Sequence, residues 1–169
     1  MIITAGIYKG RKLDVPDSSI TRPTLSKVRM GVFNSLYSIV GNFEELSFLD
    51  VFGGSGAMGL EALSRGFNKV TVFEKNLKAV NIIKKNYKQL NLTPNLFIGD
   101  SVKLIQKIEK HDVIYIDPPY LSGLYENIIE NSQGDIIILE HSEQLDLTKY
   151  KIIKQKKYGD KFVTFLSKI

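Results

Sequence analysis

The most chemically loaded stretch of the chain is Asp117-Pro118-Pro119-Tyr120, which ends the apolar run Asp112-Val113-Ile114-Tyr115-Ile116. Two successive prolines can neither continue a helix nor donate to a ladder, so the backbone there is stiff, extended and poor in donors. It offers carbonyl acceptors beside a carboxylate and an aromatic ring. Such a set suits an exocyclic amine on a flat base. The Asp117 carboxylate and the Pro118 carbonyl each accept one N–H, while Tyr120 stacks against the ring. Accepting both protons localises the nitrogen lone pair and aims it at an electrophile, and a slot of low dielectric helps where charge is neutralised along the reaction. No nucleophilic side chain is required.

A second constellation lies some sixty residues earlier. Phe48-Leu49-Asp50-Val51-Phe52-Gly53-Gly54-Ser55-Gly56-Ala57-Met58-Gly59 has the pattern of a strand, a glycine-rich turn and a helix start. Gly54, Gly56 and Gly59 satisfy the dinucleotide fingerprint, and Glu74 closes the next strand, where a ribose hydroxyl would be gripped. Two ligand classes compete for such a turn. A nicotinamide dinucleotide brings an anionic pyrophosphate, whereas S-adenosylmethionine carries a sulfonium and an ammonium. Asp50 favours the second, because a carboxylate at the first strand end repels pyrophosphate and attracts a cation. Glu74 would then accept the ribose hydroxyls and Asp100 the adenine amine, although Asp100 also has the placement of an N-cap for a helix from Ser101. Phe52, Gly53 and Ser55 in the turn, Lys75 beside Glu74 and Ser101 beside Asp100 complete the cofactor candidates.

The elements that must position these groups follow from periodicity. Strands are expected at about 46–52, 69–74, 95–99, 112–117 and 135–141, alternating with helices at about 57–65, 76–90, 101–110 and 122–131. That alternation predicts a parallel sheet with helices on both faces, whose ligands sit outside the carboxyl ends of the strands. Residues 151–156 and 162–166 form a hairpin pattern, so the mostly parallel sheet reaches seven strands and finishes antiparallel. Ahead of this core, residues 1–15 have a hairpin pattern turning at Lys9-Gly10, and a helix is expected from Thr24 to Val40. His111 is expected at the surface, His141 in loop packing, and Tyr115 and Tyr158 as packing aromatics. Lys78, Lys84, Lys85 and Lys88 should form a solvated helix face.

The 169 residues suit one domain, with 1–41 as a basic extension and 42–169 as the core. The absence of cysteine excludes disulfides and thiolate chemistry, and two histidines are too few for a His-rich metal cage, so no metal site is expected. Apolar runs such as Ile136 to Leu139 fall far short of the ~20 residues a bilayer span needs. No signal peptide is visible, and a cytoplasmic location is expected. The net charge of +5 divides unevenly: residues 1–30 carry +4, 31–148 carry −5 and 149–169 carry +6. Basic termini around an acidic middle suit a polyanion held at one edge of the molecule. Three of the four arginines, Arg11, Arg22 and Arg29, fall in the first thirty positions of a chain that otherwise uses lysine.

Asp50 to Gly59 followed by Leu60-Glu61-Ala62-Leu63-Ser64-Arg65-Gly66, together with Asp117 to Tyr120, resembles the RsmD family of bacterial 16S ribosomal RNA guanine-N2 methyltransferases. Gly10-Arg11-Lys12-Leu13, Thr21-Arg22-Pro23-Thr24, Val28-Arg29 and Phe33-Asn34-Ser35-Leu36 are similar to that family's opening segment. The resemblance runs from Ile2 to the tail. It implies an α/β, Rossmann-like class I methyltransferase fold and transfer of one methyl group from S-adenosylmethionine to N2 of a specific guanine in 16S rRNA. The substrate would be the small ribosomal subunit or its assembly intermediate, and the enzyme a monomer. By the same resemblance Asp50, Gly54 and Gly56 line the methionine end, Glu74 the ribose and Asp100 the adenine, while Asp117, Pro118 and Tyr120, with Pro119 between them, hold the base.

The basic opening then gains a role: Arg11, Lys12, Arg22, Thr24, Lys27 and Arg29 would bind RNA, with the lysine-rich final hairpin adding to the same face. Residues 125–135 are short for the link between the catalytic loop and the fifth strand, which predicts a clipped covering helix. Other readings are an N6-adenine DNA methyltransferase, for which the chain lacks room for a DNA-recognition domain, and an NAD-dependent oxidoreductase. A catalytically silent RNA-binding assembly factor is a further reading, which the intact tetrapeptide disfavours.

Overall fold

A computed structural model gives the fold over residues 1–17, 25–119 and 123–168. In chain order the elements are α1 (Ser26–Val40), β1 (Ser47–Asp50), α2 (Ala57–Ser64), β2 (Lys69–Glu74), α3 (Leu77–Gln89), β3 (Asn95–Ile98), α4 (Ser101–Leu104), β4 (His111–Ile116), α5 (Tyr125–Asn131), β5 (Gly134–His141), β6 (Lys151–Tyr158) and β7 (Lys161–Ser167). They build one seven-stranded sheet in the order β3-β2-β1-β4-β5-β7-β6. Strands β1 to β5 pair in parallel, and β7 inserts antiparallel between β5 and β6.

Successive strand residues point to opposite faces, which sorts the core into two layers. On one face Phe33 and Leu36 of α1, Leu60 of α2 and Ile83 and Tyr87 of α3 pack with Phe48, Val72, Val113, Ile138 and Phe165. On the other, Ile105, Ile128 and Ile129 pack with Leu49, Phe73, Ile114, Ile137 and Leu166. Burying a large apolar side chain contributes about 1.5–3 kcal/mol, so each face is held by several such terms. Helix α5 has seven residues, matching the short link expected there.

Three local expectations differ from the structure. The opening hairpin reduces to a single antiparallel bridge, Ile2 to Lys12. That bridge is flanked by backbone bonds across the hairpin, Ile3 N to Arg11 O (3.0 Å), Gly10 N to Ile3 O (2.8 Å) and Leu13 N to Met1 O (2.7 Å). The loop between also bonds to α2: Ile7 N donates to Ser64 O (2.9 Å), Tyr8 N to Ser64 Oγ (2.9 Å) and Thr4 N to Glu61 Oε1 (2.9 Å). This close approach needs Gly6, where φ is +86° and a Cβ would lie 1.9 Å from Ser64 O. Helix α4 ends at Leu104 although apolar spacing continues to Ile108, because a tighter bond from Lys107 N to Leu104 O (3.0 Å) turns the chain toward β4. His111 is buried rather than exposed. It opens β4 opposite Gly134, and its ring bridges Glu109 O (2.9 Å) and Thr71 Oγ1 (2.8 Å); burial pushes its pKa down. His141 packs at the end of β5 between Glu143 O and Thr164 Oγ1.

Candidate active site

The carboxyl ends of β1, β2, β4 and β5 carry Asp50, Glu74, Asp117 and Glu140, each on or just after the last residues of its strand. Four acids therefore line one edge of the sheet. Asp50 is 1% exposed and, among the described residues, accepts one bond, from Phe52 N at 3.3 Å. Burial pushes its carboxyl up to about 7, against the Phe52 bond; the charges of Glu74 and Glu140 add to the rise. A buried carboxylate with so little compensation is a site for a cation.

After β1 the chain turns sharply into α2. Gly53 N donates to Phe73 O (2.8 Å), and a Cβ on Gly53 would stand 2.4 Å from Val72 Cγ1, so this position packs the turn against β2. Gly56 takes φ +80° and starts α2. Ser55 Oγ accepts from Ala57 N (3.2 Å), and Asn86 Nδ2 donates to Ser55 O (2.8 Å), tying the turn to α3. Glu74 fastens the turn from the other side: Oε1 accepts from Gly54 N (2.8 Å), while Oε2 accepts from Lys75 N (2.9 Å) and Asn76 N (2.8 Å). Phe52 is half-buried at the head of the turn, and Lys75 is exposed beside it. Asp100 is exposed and caps α4 by accepting from Val102 N (3.0 Å), so its capping role is realised. Ser101 is buried and donates to Val51 O (2.6 Å), fixing α4 over the end of β1.

Asp50 is the register partner of Tyr115, which places Asp117 two residues beyond it on the neighbouring strand. Lys161 Nζ stands 3.9 Å from Asp117 Oδ1 and 2.6 Å from Glu140 Oε1. Glu140 is 1% exposed and also accepts from Tyr115 Oη, while Tyr125 Oη donates to its main-chain oxygen (2.6 Å). Pro118 is buried and Pro119 exposed. Tyr120 lies outside the described residues. The Glu140–Lys161 pair was not singled out in the sequence. Its signal is the apolar run Ile136 to Leu139 ending in an acid, the pattern that also marks Asp50, Glu74 and Asp117.

The basic opening does not assemble as expected. Arg29 is 0% exposed: Nε pairs with Glu61 Oε1 at 3.0 Å, and its Nη2 donates to Ile2 O. It is a buried structural cation, and its place as a phosphate ligand is withdrawn. Arg11 is exposed and donates to Gln89 O (2.8 Å); Lys12 and Lys27 are exposed. Arg22 and Thr24 lie outside the described residues. Among the described residues no acidic or histidine cluster has the geometry of a metal site.

The family model described as Conserved hypothetical protein 95 matches residues 1–167. YlbH of Bacillus subtilis is 32% identical over 160 residues, spanning 87% of this chain and 85% of that protein. The Ribosomal RNA small subunit methyltransferase D of Escherichia coli is 37% identical over 129 residues, spanning 75% of this chain and 64% of that protein. The solved structure of yhhF from Escherichia coli superposes with a TM-score of 0.83 at 29% identity, covering 99% of this chain and 97% of that one. The mixed sheet, the acid-edged turn and these relatives agree on a class I methyltransferase fold, and the chain belongs to the RsmD family, whose model carries the description Conserved hypothetical protein 95.

Proposed function

We propose that the protein transfers a methyl group from S-adenosylmethionine to the exocyclic N2 of a guanine in 16S rRNA of the small ribosomal subunit, and that it works as a cytoplasmic monomer. The observation that carries this reading is the buried Asp50 carboxylate standing one strand away from Asp117-Pro118-Pro119. A cation-seeking acid and an amine-seeking loop side by side suit an electrophile bearing positive charge and an NH₂ acceptor. The family's small-subunit rRNA methyltransferases support the substrate. No described helix is long and apolar enough to cross a membrane.

The residues fit the cofactor. Asp50 would hold its cationic amino-acid end, the Gly53 to Gly56 turn would offer backbone to it, Glu74 would accept from the ribose and Asp100 from the adenine amine. When bound, S-adenosylmethionine supplies an electrophilic methyl group on a positive sulfur. The chain itself does the rest. Asp117 and the Pro118 carbonyl accept the two amine protons and point the nitrogen lone pair, and Tyr120 holds the ring flat. Lys161, fixed by Glu140, keeps positive charge beside Asp117 and so holds it as the carboxylate that accepts the amine N–H; the proton released by the methylated amine passes to solvent. Closing water out of the slot strengthens each of these contacts.

The test is methylation of small ribosomal subunits from cells lacking this gene, followed by nucleoside mass spectrometry of 16S rRNA. One N2-methylguanosine per subunit is expected. N6-methyladenine formed in DNA instead, or NADH binding with no affinity for S-adenosylmethionine, would overturn it.

A further inference from the structure

We infer that β6 carries a phosphate-binding row, formed by Lys151, Lys154 and Lys156, along which the RNA backbone is led to the catalytic edge. This rests on the rRNA reading above. Strand β6 is the outer edge of the sheet and pairs only with β7. Its register places Lys151 opposite Ser167, Lys154 opposite Phe165 and Lys156 opposite Val163. Phe165 and Val163 belong to the core layer under α1, so the three lysines share that face.

They share it because of a bulge. The register shifts between Ile152 and Lys154, leaving Ile153 as the extra residue. Without that insertion Lys151 and Lys154, an odd number of positions apart, would point to opposite faces. With it, three lysines stand in one line, the last two roughly 7 Å apart. The line continues to Tyr158, which packs against α1 at Gly31, where a Cβ would fall 2.0 Å from the Tyr158 hydroxyl. Exposed Lys27 sits one helical turn before Gly31. Beyond Tyr158 the hairpin returns with Lys161, the cation beside Asp117. The row thus leads from the outer edge of the sheet to the reacting end.

Lysines also guard exposed strand edges against pairing with another chain. That role is met by a lysine on either face and needs no bulge. Alignment on one face is what a linear polyanion requires. The row also supplies positive charge that the opening segment lacks once Arg29 is buried against Glu61. None of the three lysines joins an ion pair among the described residues, whereas Lys85, Lys110 and Lys149 do.

The test measures binding of small ribosomal subunits over a salt series, with folding checked by circular dichroism. K151Q/K154Q/K156Q should weaken binding about tenfold to a hundredfold near physiological salt and lower the slope of log K against log salt by about 2–3. The control K78Q/K84Q/K88Q on the solvated face of α3, equal in charge change, should do neither. K151I/I152K keeps composition and edge protection but moves one charge to the opposite face; it should lower the slope by about one. Equal losses from the row and control triples, or wild-type binding by K151I/I152K, would overturn the row. If the wild type binds subunits and methylates them while the row variants match it, only the row fails. A wild type that neither binds nor methylates subunits sinks the rRNA reading and the row together.

Discussion

Arg29 and Glu61 meet at 3.0 Å, Nε to Oε1, with neither side chain reaching solvent. Glu61 Oε2 also accepts from Arg65 Nε (2.9 Å), Thr4 Oγ1 (3.0 Å) and Ala5 N (3.2 Å), and Oε1 from Thr4 N (2.9 Å). One carboxylate thereby gathers α1, α2 and the opening segment. Removing one partner of such a buried pair costs about 3–5 kcal/mol, since the other charge is left uncompensated. Arg29→Met should lower the urea midpoint accordingly while leaving the salt slope of subunit binding at the wild-type value. An undisturbed midpoint with a shallower slope would restore Arg29 as a phosphate ligand. Burial pushes the Glu61 carboxyl up, but the bonds from Thr4, Arg65 and Arg29 outweigh it and hold it below its ordinary value. Its contribution is therefore complete above the ordinary carboxylate range and is lost as pH falls through the lower folded value.

Asp50 has the opposite sign. Folding raises its pKa from 3.8 to about 7, so between those values the folded protein holds a proton that the unfolded chain releases. Stability should fall as pH rises through this window and level off above it. Asp50→Asn should flatten that slope, raise the urea midpoint at pH above the window and weaken S-adenosylmethionine binding. In the wild type, cofactor binding near neutral pH should release protons, seen as a calorimetric heat that changes with the ionisation enthalpy of the buffer. A buffer-independent heat would mean that Asp50 does not meet the cation.

Much of this arrangement is legible in the sequence because parallel strands buried on both faces are apolar runs, and three of the acids that end them were marked by position alone. What escaped is set by partners distant along the chain. Val28-Arg29-Met30 has the pattern of a helix with one solvated charge, and only Glu61, on another helix, turns that charge inward. Glu140 finds Lys161 through the register of β5 against β7. His111 follows a charged stretch, yet Thr71 on β2 takes its ring into the core. Ile105 and Ile108 keep helical spacing past the end of α4, where the path to β4 forces a turn. Periodicity reports which face a residue belongs to, and these four outcomes depend on what the face meets.

At the amine site, Asp117→Ala should lower turnover on the order of 10²–10³, the usual loss for one preorganised polar contact. S-adenosylmethionine affinity should stay within a few-fold of wild type, because the residues proposed to hold that ligand, Asp50, Glu74 and Asp100, end or follow other strands. Single-turnover methylation of subunits, with cofactor binding measured separately, checks both. Retained turnover would remove Asp117 from the chemistry. Loss of cofactor binding in step with turnover would make it a cofactor ligand instead.

The opening segment depends on Gly6 as well as on its own hairpin bonds. A methyl group there would meet Ser64 O, Ser64 C and Ser64 Oγ at 1.9, 2.3 and 2.6 Å, and two of those atoms are helix backbone that cannot swing aside. The φ of +86° is also unfavourable for alanine. Gly6→Ala should therefore lift residues 4–8 from α2, breaking the bonds of Ile7 N and Tyr8 N to Ser64 and exposing Glu61. Amide exchange at Ile7 and Tyr8 should accelerate strongly, and the melting temperature should fall by several degrees, about what 1–3 kcal/mol gives in a domain of this size. Because Arg29 leans on the same carboxylate, Gly6→Ala combined with Arg29→Met should cost less than the two separate losses added together. Full additivity in that cycle would mean that the opening segment and α1 are anchored to α2 independently.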